Sequence, residues 1–168
     1  AGAVAAQPAI ADAYFIVDGV LLVPSDGRTA TAVAATSGER DVVTFDLALD
    51  YCGKWRDATN DAYGKAMATL RRAELLLGSQ RFDEAMTEMA AVLKVSADDS
   101  WLERETIARA EQAHRQRGNA TGWAKWIGAQ ADEHPARLNF RRAHSQALAA
   151  AGKTDEALEV LTEVMRRS

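Results

Sequence analysis

The sequence predicts a mainly α chain: an α-solenoid of about three helical hairpins preceded by a short β meander. Three observations predict it. A turn signature recurs at Gln80–Ala85, Gly118–Trp123 and Gly152–Ala157. Phe82 to Ala120 is 38 residues and Ala120 to Thr154 is 34, and a period near 34 with a helix on each side of the turn marks a helical-hairpin repeat. Behind the first and third turns the rows Phe82, Ala85, Met89, Val92 and Thr154, Ala157, Leu161, Val164 step by 3, 4, 3, which gathers each row on one helix face. A weaker copy of the signature is expected at Gly53–Ala58.

In chain order, residues 1–11 read as a flexible leader of alanines with Pro8 and no charge before Asp12. Residues 12–45 read as a small meander. Ala13–Val17 and Val20–Val23 flank Asp18-Gly19, the pair that tolerates positive φ in a two-residue hairpin. Pro24–Gly27 is a second turn, and Thr29–Ala35 and Asp41–Phe45 are two further strands around Ser37-Gly38-Glu39. Asp26–Thr29 and the residues around Ser37-Gly38 faintly resemble one β-propeller blade.

Residues 46–168 read as the helical-repeat domain. A first helix is expected through Cys52, and Arg56–Gly78 as one long helix or two, weakened at Asn60-Asp61 and Gly64. Then follow Phe82–Val95, Trp101–Arg117, Thr121–Glu133, a break at His134-Pro135, Leu138–Ala151 and Thr154–Arg166. Asp155 and Glu156 in the first turn of the last helix, with arginines in its last turn, match the helix macrodipole at both ends.

These residues resemble the tetratricopeptide repeat over roughly Ala66–Ser168. Gly118 with Pro135, Gly152 with Ala157, and Phe82 with Ala85 fall on that family's turn, alanine and terminating-proline positions. Gln80 stands in place of the turn glycine, Trp123 in place of a small residue, and the link Ser96–Leu102 is about four residues longer than the family's. The resemblance implies a helical-repeat surface that binds extended peptides or folded proteins.

Bulk properties narrow the function classes. A chain of 168 residues is one domain, or one with a small appendage. The net charge of −4 gives no general attraction to nucleic acid. Cys52 is the single cysteine and makes neither an internal disulfide nor a cysteine-based zinc site. No run of 18 apolar residues is present to span a membrane. The alanine-rich start from Ala1 fits the end left by removal of an export signal, which implies a periplasmic protein, and equally a linker, with a cytoplasmic location as the alternative. Fifteen arginines against five lysines, with abundant alanine, have a bacterial look.

Chemical motifs are few. No phosphate-binding glycine loop and no nucleophile elbow occurs, and Asp98-Asp99 lacks calcium-loop spacing. His114, His134 and His144 lack the i, i+4 pairing of a helical metal site. No cofactor, metal or catalytic residue is therefore assigned.

The expected function is non-enzymatic: a protein-binding scaffold taking a protein or peptide partner. Its candidate contacts are Gln112, Arg115, Arg142 and Gln146 on first helices, whose amides and guanidinium forks suit carboxylates and peptide backbone. Trp123 and Trp126, three apart on one helix, are the candidate aromatic anchors. Two alternatives stay open: an accessory subunit docked through its N-terminal β segment, and an enzyme or small-ligand carrier with an unrecognised site.

Overall fold

The three recurrent turns are built the same way. In the computed structural model, which describes residues 15–17, 20–24, 29–34 and 40–167, each turn is a three-residue link whose middle residue is left-handed. These are Gln80 (φ 63°), Gly118 (φ 64°) and Gly152 (φ 79°). Their N–H groups donate to the carbonyls of Leu77, Arg115 and Ala149, and the next N–H in each donates to Leu76, His114 and Leu148, all at 2.8–3.0 Å. This double closure is the Schellman motif, which satisfies carbonyls that a helix end would otherwise leave bare.

Among the described residues, seven helices are joined by these links and by looser ones: α1 (Phe45–Ala58), α2 (Ala62–Gly78), α3 (Phe82–Val95), α4 (Trp101–Gln116), α5 (Ala120–Glu133), α6 (Leu138–Ala150) and α7 (Thr154–Arg167). The chain is thus mainly α. Side-chain oxygens cap three helix starts: Asp61 accepts from the N–H of Gly64, Ser100 from Glu103 and Asn119 from Gly122. The weak middle at Asn60-Asp61 is a true break, with Asp61 capping α2.

The expected turn at Gly53–Ala58 is not one. It lies inside α1, which runs on past Cys52 to Ala58. Gly53 does not take positive φ, and Lys54 reaches back one turn to Asp50 at 2.7 Å, as a continuous helix allows. Glycine alone weakens a helix without ending it.

Ahead of α1 the backbone forms β1 (Phe15–Val17), β2 (Val20–Pro24), β3 (Thr29–Ala34) and β4 (Arg40–Thr44), antiparallel in the order β1-β2-β3-β4. The pairing sets Val17 against Val20, Leu21 against Val33 and Ala30 against Val43. The leader at residues 1–11 and the turn residues Asp18-Gly19 lie outside the described residues.

Contacts divide the chain within α3 into residues 1–88 and 89–168, and each unit is described by itself. In the first, α1 packs on α2, with Ala48 and Cys52 of α1 and Leu70 and Ala73 of α2 fully buried. Burial pushes the Cys52 thiol up to about 11, so it stays protonated and packs as a small apolar group. In the second, α5 packs on α4 and α6, and α6 on α7. Gly128 leaves room for the His144 ring between α5 and α6: a Cβ there would lie 2.8 Å from Nε2 of His144.

Candidate functional site

The side-chain rows of α4 and α6 face solvent. Ala108, Gln112 and Arg115 on α4 and Arg142, Gln146 and Ala149 on α6 are all exposed. The equivalent row of α2 is not: Leu70 and Glu74 are buried. The rows of α4 and α6 are therefore open, and that of α2 is packed at Leu70 and Glu74.

One small pocket joins two of the expected contacts. It holds about 200 Å³ and is lined by Glu111 and Arg115 of α4, Gly118 and Asn119 of the turn, Ala120 and Trp123 of α5, and Ala150 of α6. Its lining is mostly apolar, with Glu111 and Arg115 among the residues around it. Arg115 pairs with Glu111 one turn earlier, Nη2 to Oε1 at 2.8 Å, on an exposed edge. A ligand-sized pocket is typically about 300–1,000 Å³, so this one suits a single apolar side chain beside a carboxylate or backbone carbonyl. Gln112, Trp126, Arg142 and Gln146 do not line it.

Trp123 is mostly core rather than surface. It is 6% exposed, stacked on Trp126 at 5.8 Å and tilted against His114 at 5.9 Å. It follows its Schellman residue by five positions, as buried Ala85 and Ala157 follow theirs, and that position always turns inward. What remains for contact is the small part of it that lines the pocket. Trp126 is half-buried. The exposed indole is Trp101, at 47%, in the first turn of α4. Burial, and secondarily Arg117, pulls the His114 imidazole below its ordinary pKa, and burial does the same to His144.

Sequence reasoning missed a buried ion cluster under the long Ser96–Leu102 link. Glu103 is fully buried. Arg137 donates from Nη1 to Glu103 Oε2 at 3.1 Å and to the Leu93 carbonyl at 2.8 Å, and from Nη2 to the Ser96 carbonyl at 2.7 Å. Asn139 donates to Glu103 Oε1 and to Asp99. Asp99, left-handed at φ 52°, is held below the ordinary carboxylate range by hydrogen bonds from Arg104 and then Asn139. These bonds hold the end of α3 and the start of α4 to the start of α6. The partners are 34 residues apart, and only a glutamate on the inward face of α4 hints at them.

In the first unit a polar groove of about 590 Å³ runs between α1, α2 and the start of α3. Its acids and bases are already matched: Asp50 with Lys54, Asp57 with Arg56, Asp46 with Arg81, and Glu88 with Arg72. A charged ligand would have to displace these pairs.

One family model matches the chain, that of the 3-hydroxybutyryl-CoA dehydrogenase reduced Rossmann-fold domain, over residues 22–77. The match spans about a third of the chain, from β2 to near the end of α2, and is a likeness of that stretch alone. Within it β2, β3 and β4 pair antiparallel, whereas a dinucleotide-binding βαβ unit needs parallel strands. Its glycines, Gly27, Gly38, Gly53 and Gly64, are too widely spaced for the phosphate-binding fingerprint. No curated protein and no solved structure matches.

Proposed function

We propose that the chain is a non-enzymatic interaction module, a tetratricopeptide-like α-solenoid that binds a peptide or protein partner on the solvent-facing rows of α4 and α6. The observation that carries this reading is the pocket where Arg115 and Trp123 meet. It offers a mostly apolar lining, with Arg115 among its residues, at the size of one anchoring side chain. Arg142, Gln112 and Gln146 extend the surface with donors for backbone carbonyls and carboxylates, and Trp126 supports the lining through its stack on Trp123. The identical Schellman turns support a repeat, because they give each hairpin the same entry into its second helix.

The test is capture of a partner from the source organism with the tagged chain, beside an Arg115→Ala/Arg142→Ala variant of unchanged helicity. A stoichiometric partner held by the natural chain and lost by the variant is expected. A partner held equally by both would refute the placement, and no partner with a well-folded chain would refute the module.

A further inference from the structure

We propose that α7 is a self-association face, on which two copies of the chain pair antiparallel through Leu158, Leu161 and Met165. The inference rests on α7 alone and is independent of the partner surface on α4 and α6. Counting from the left-handed residue of each turn, α5 and α7 each carry two adjacent rows at matching positions. The first row is buried in both, through Trp123 and Gln130 in α5 and through Ala157 and Val164 in α7. The second row of α5 is Ala124, Ile127 and Ala131, at 3%, 0% and 2% exposure. The same positions of α7 are Leu158, Leu161 and Met165, at 56%, 40% and 66%. The row that is core in one helix is bare in the other.

Three features favour a second copy as its occupant. The equivalent helix, α5, packs on a helix, α6, so the surface is of a kind that takes a helix. The two rows differ in size. That of α5 is small, with Gly128 nearby admitting a neighbour's ring, whereas that of α7 is long and flexible, and two such rows interdigitate.

Charge supplies the direction. Asp155, Glu156 and Glu159 crowd the first half of α7, and Arg166 and Arg167 close it. An antiparallel register that sets Leu161 against Leu161 of the second copy brings Leu158 beside Met165 and Asp155 beside Arg166. Two-fold symmetry then repeats both contacts at the other end, while a parallel pairing would set acid against acid. Arg166 already holds Glu163 at 2.6 Å within its own helix, so the new contact extends an existing pair. Three apolar side chains per copy make an interface well below the ~1,200 Å² of stable complexes, and the association is weak and concentration-dependent.

Sedimentation equilibrium from micromolar to near-millimolar concentration tests this. The natural chain is expected to rise from monomer to dimer mass. Leu161→Glu, at a position partly open to solvent, should stay monomeric with an unchanged far-ultraviolet spectrum. Asp155→Arg and Arg166→Glu should each weaken dimerisation about five-fold, and the two together should restore it. The charge exchange decides the matter even if Leu161→Glu perturbs the fold. A natural chain monomeric throughout, a dimer indifferent to Leu161→Glu, or a double exchange no better than either single one would overturn the proposal.

Discussion

Helices α5 and α7 leave the same turn and end differently. Gly118 and Gly152 adopt the same left-handed conformation, make the same pair of backbone hydrogen bonds, and precede a buried side chain by five residues. Beyond that point the second row of α5 is small and buried, and the second row of α7 is large and exposed. The turn is set by local backbone chemistry and can be copied whichever helix comes after it. The two second rows differ in their surroundings: that of α5 is covered, and that of α7 is open among the described residues.

Four sets of substitutions break or sharpen that comparison. The largest effect is expected where α4 and α6 are joined. Arg137→Met would strand the buried Glu103 carboxylate and should cost ~3–5 kcal/mol of stability by denaturant unfolding. A loss below about 1 kcal/mol would mean that the cluster is no more than a surface pair.

Next come the equivalent side chains of the two rows. Ile127→Ala should cost ~2–5 kcal/mol, since it opens a cavity in a closed core. Leu161→Ala, measured in dilute monomer, should cost only a fraction of that. Equal losses would erase the distinction between a filled row and a bare one.

The turns should respond more modestly, and in opposite directions. Gly118→Ala and Gly152→Ala meet nothing within 4 Å, yet each forces a Cβ into left-handed backbone at about 1–2 kcal/mol. Gln80→Gly relieves that strain, offset by glycine's greater freedom when unfolded, and should leave a net gain below about 1 kcal/mol. A stabilising Gly118→Ala would show that φ is not what these turns demand.

The smallest effect concerns pH. His114 and His144 both have depressed folded pKa values, so the unfolded chain binds protons more readily than the folded one. Their contribution is present above the unfolded value near about 6.5 and is lost as pH falls below it. The thermal midpoint should therefore drop on acidification through that range, and the drop should shrink in His114→Phe. A midpoint that is flat there, or that rises, would contradict the burial of these rings.

Much of this fold is readable in the sequence because the signals are local. The helices after Arg81 begin and end within a residue of where turn residues and 3, 4, 3 rows place them, since caps and Schellman glycines act over a few residues. Gly53 misleads for the same reason: it copies the composition of the turn but takes no left-handed φ, so α1 continues through it. Trp123 reads as a surface anchor because i, i+3 spacing tells which residues share a face and not which way that face points. The cluster of Glu103, Arg137 and Asn139 is barely hinted at in the sequence, by a glutamate on the inward face of α4, as its members meet only through tertiary packing. Of the expected contacts, Arg115 and Trp123 come together in one pocket, while Gln112, Arg142 and Gln146 are exposed apart from it.

The most direct test of two faces with two tasks is the affinity of the captured partner for three chains: natural, Arg115→Ala and Leu161→Glu. The pocket reading predicts that Arg115→Ala loses about 30-fold, or ~2 kcal/mol as expected of an anchor, and that Leu161→Glu binds as the natural chain does. An unchanged Arg115→Ala beside a weakened Leu161→Glu would contradict it and place the partner on α7.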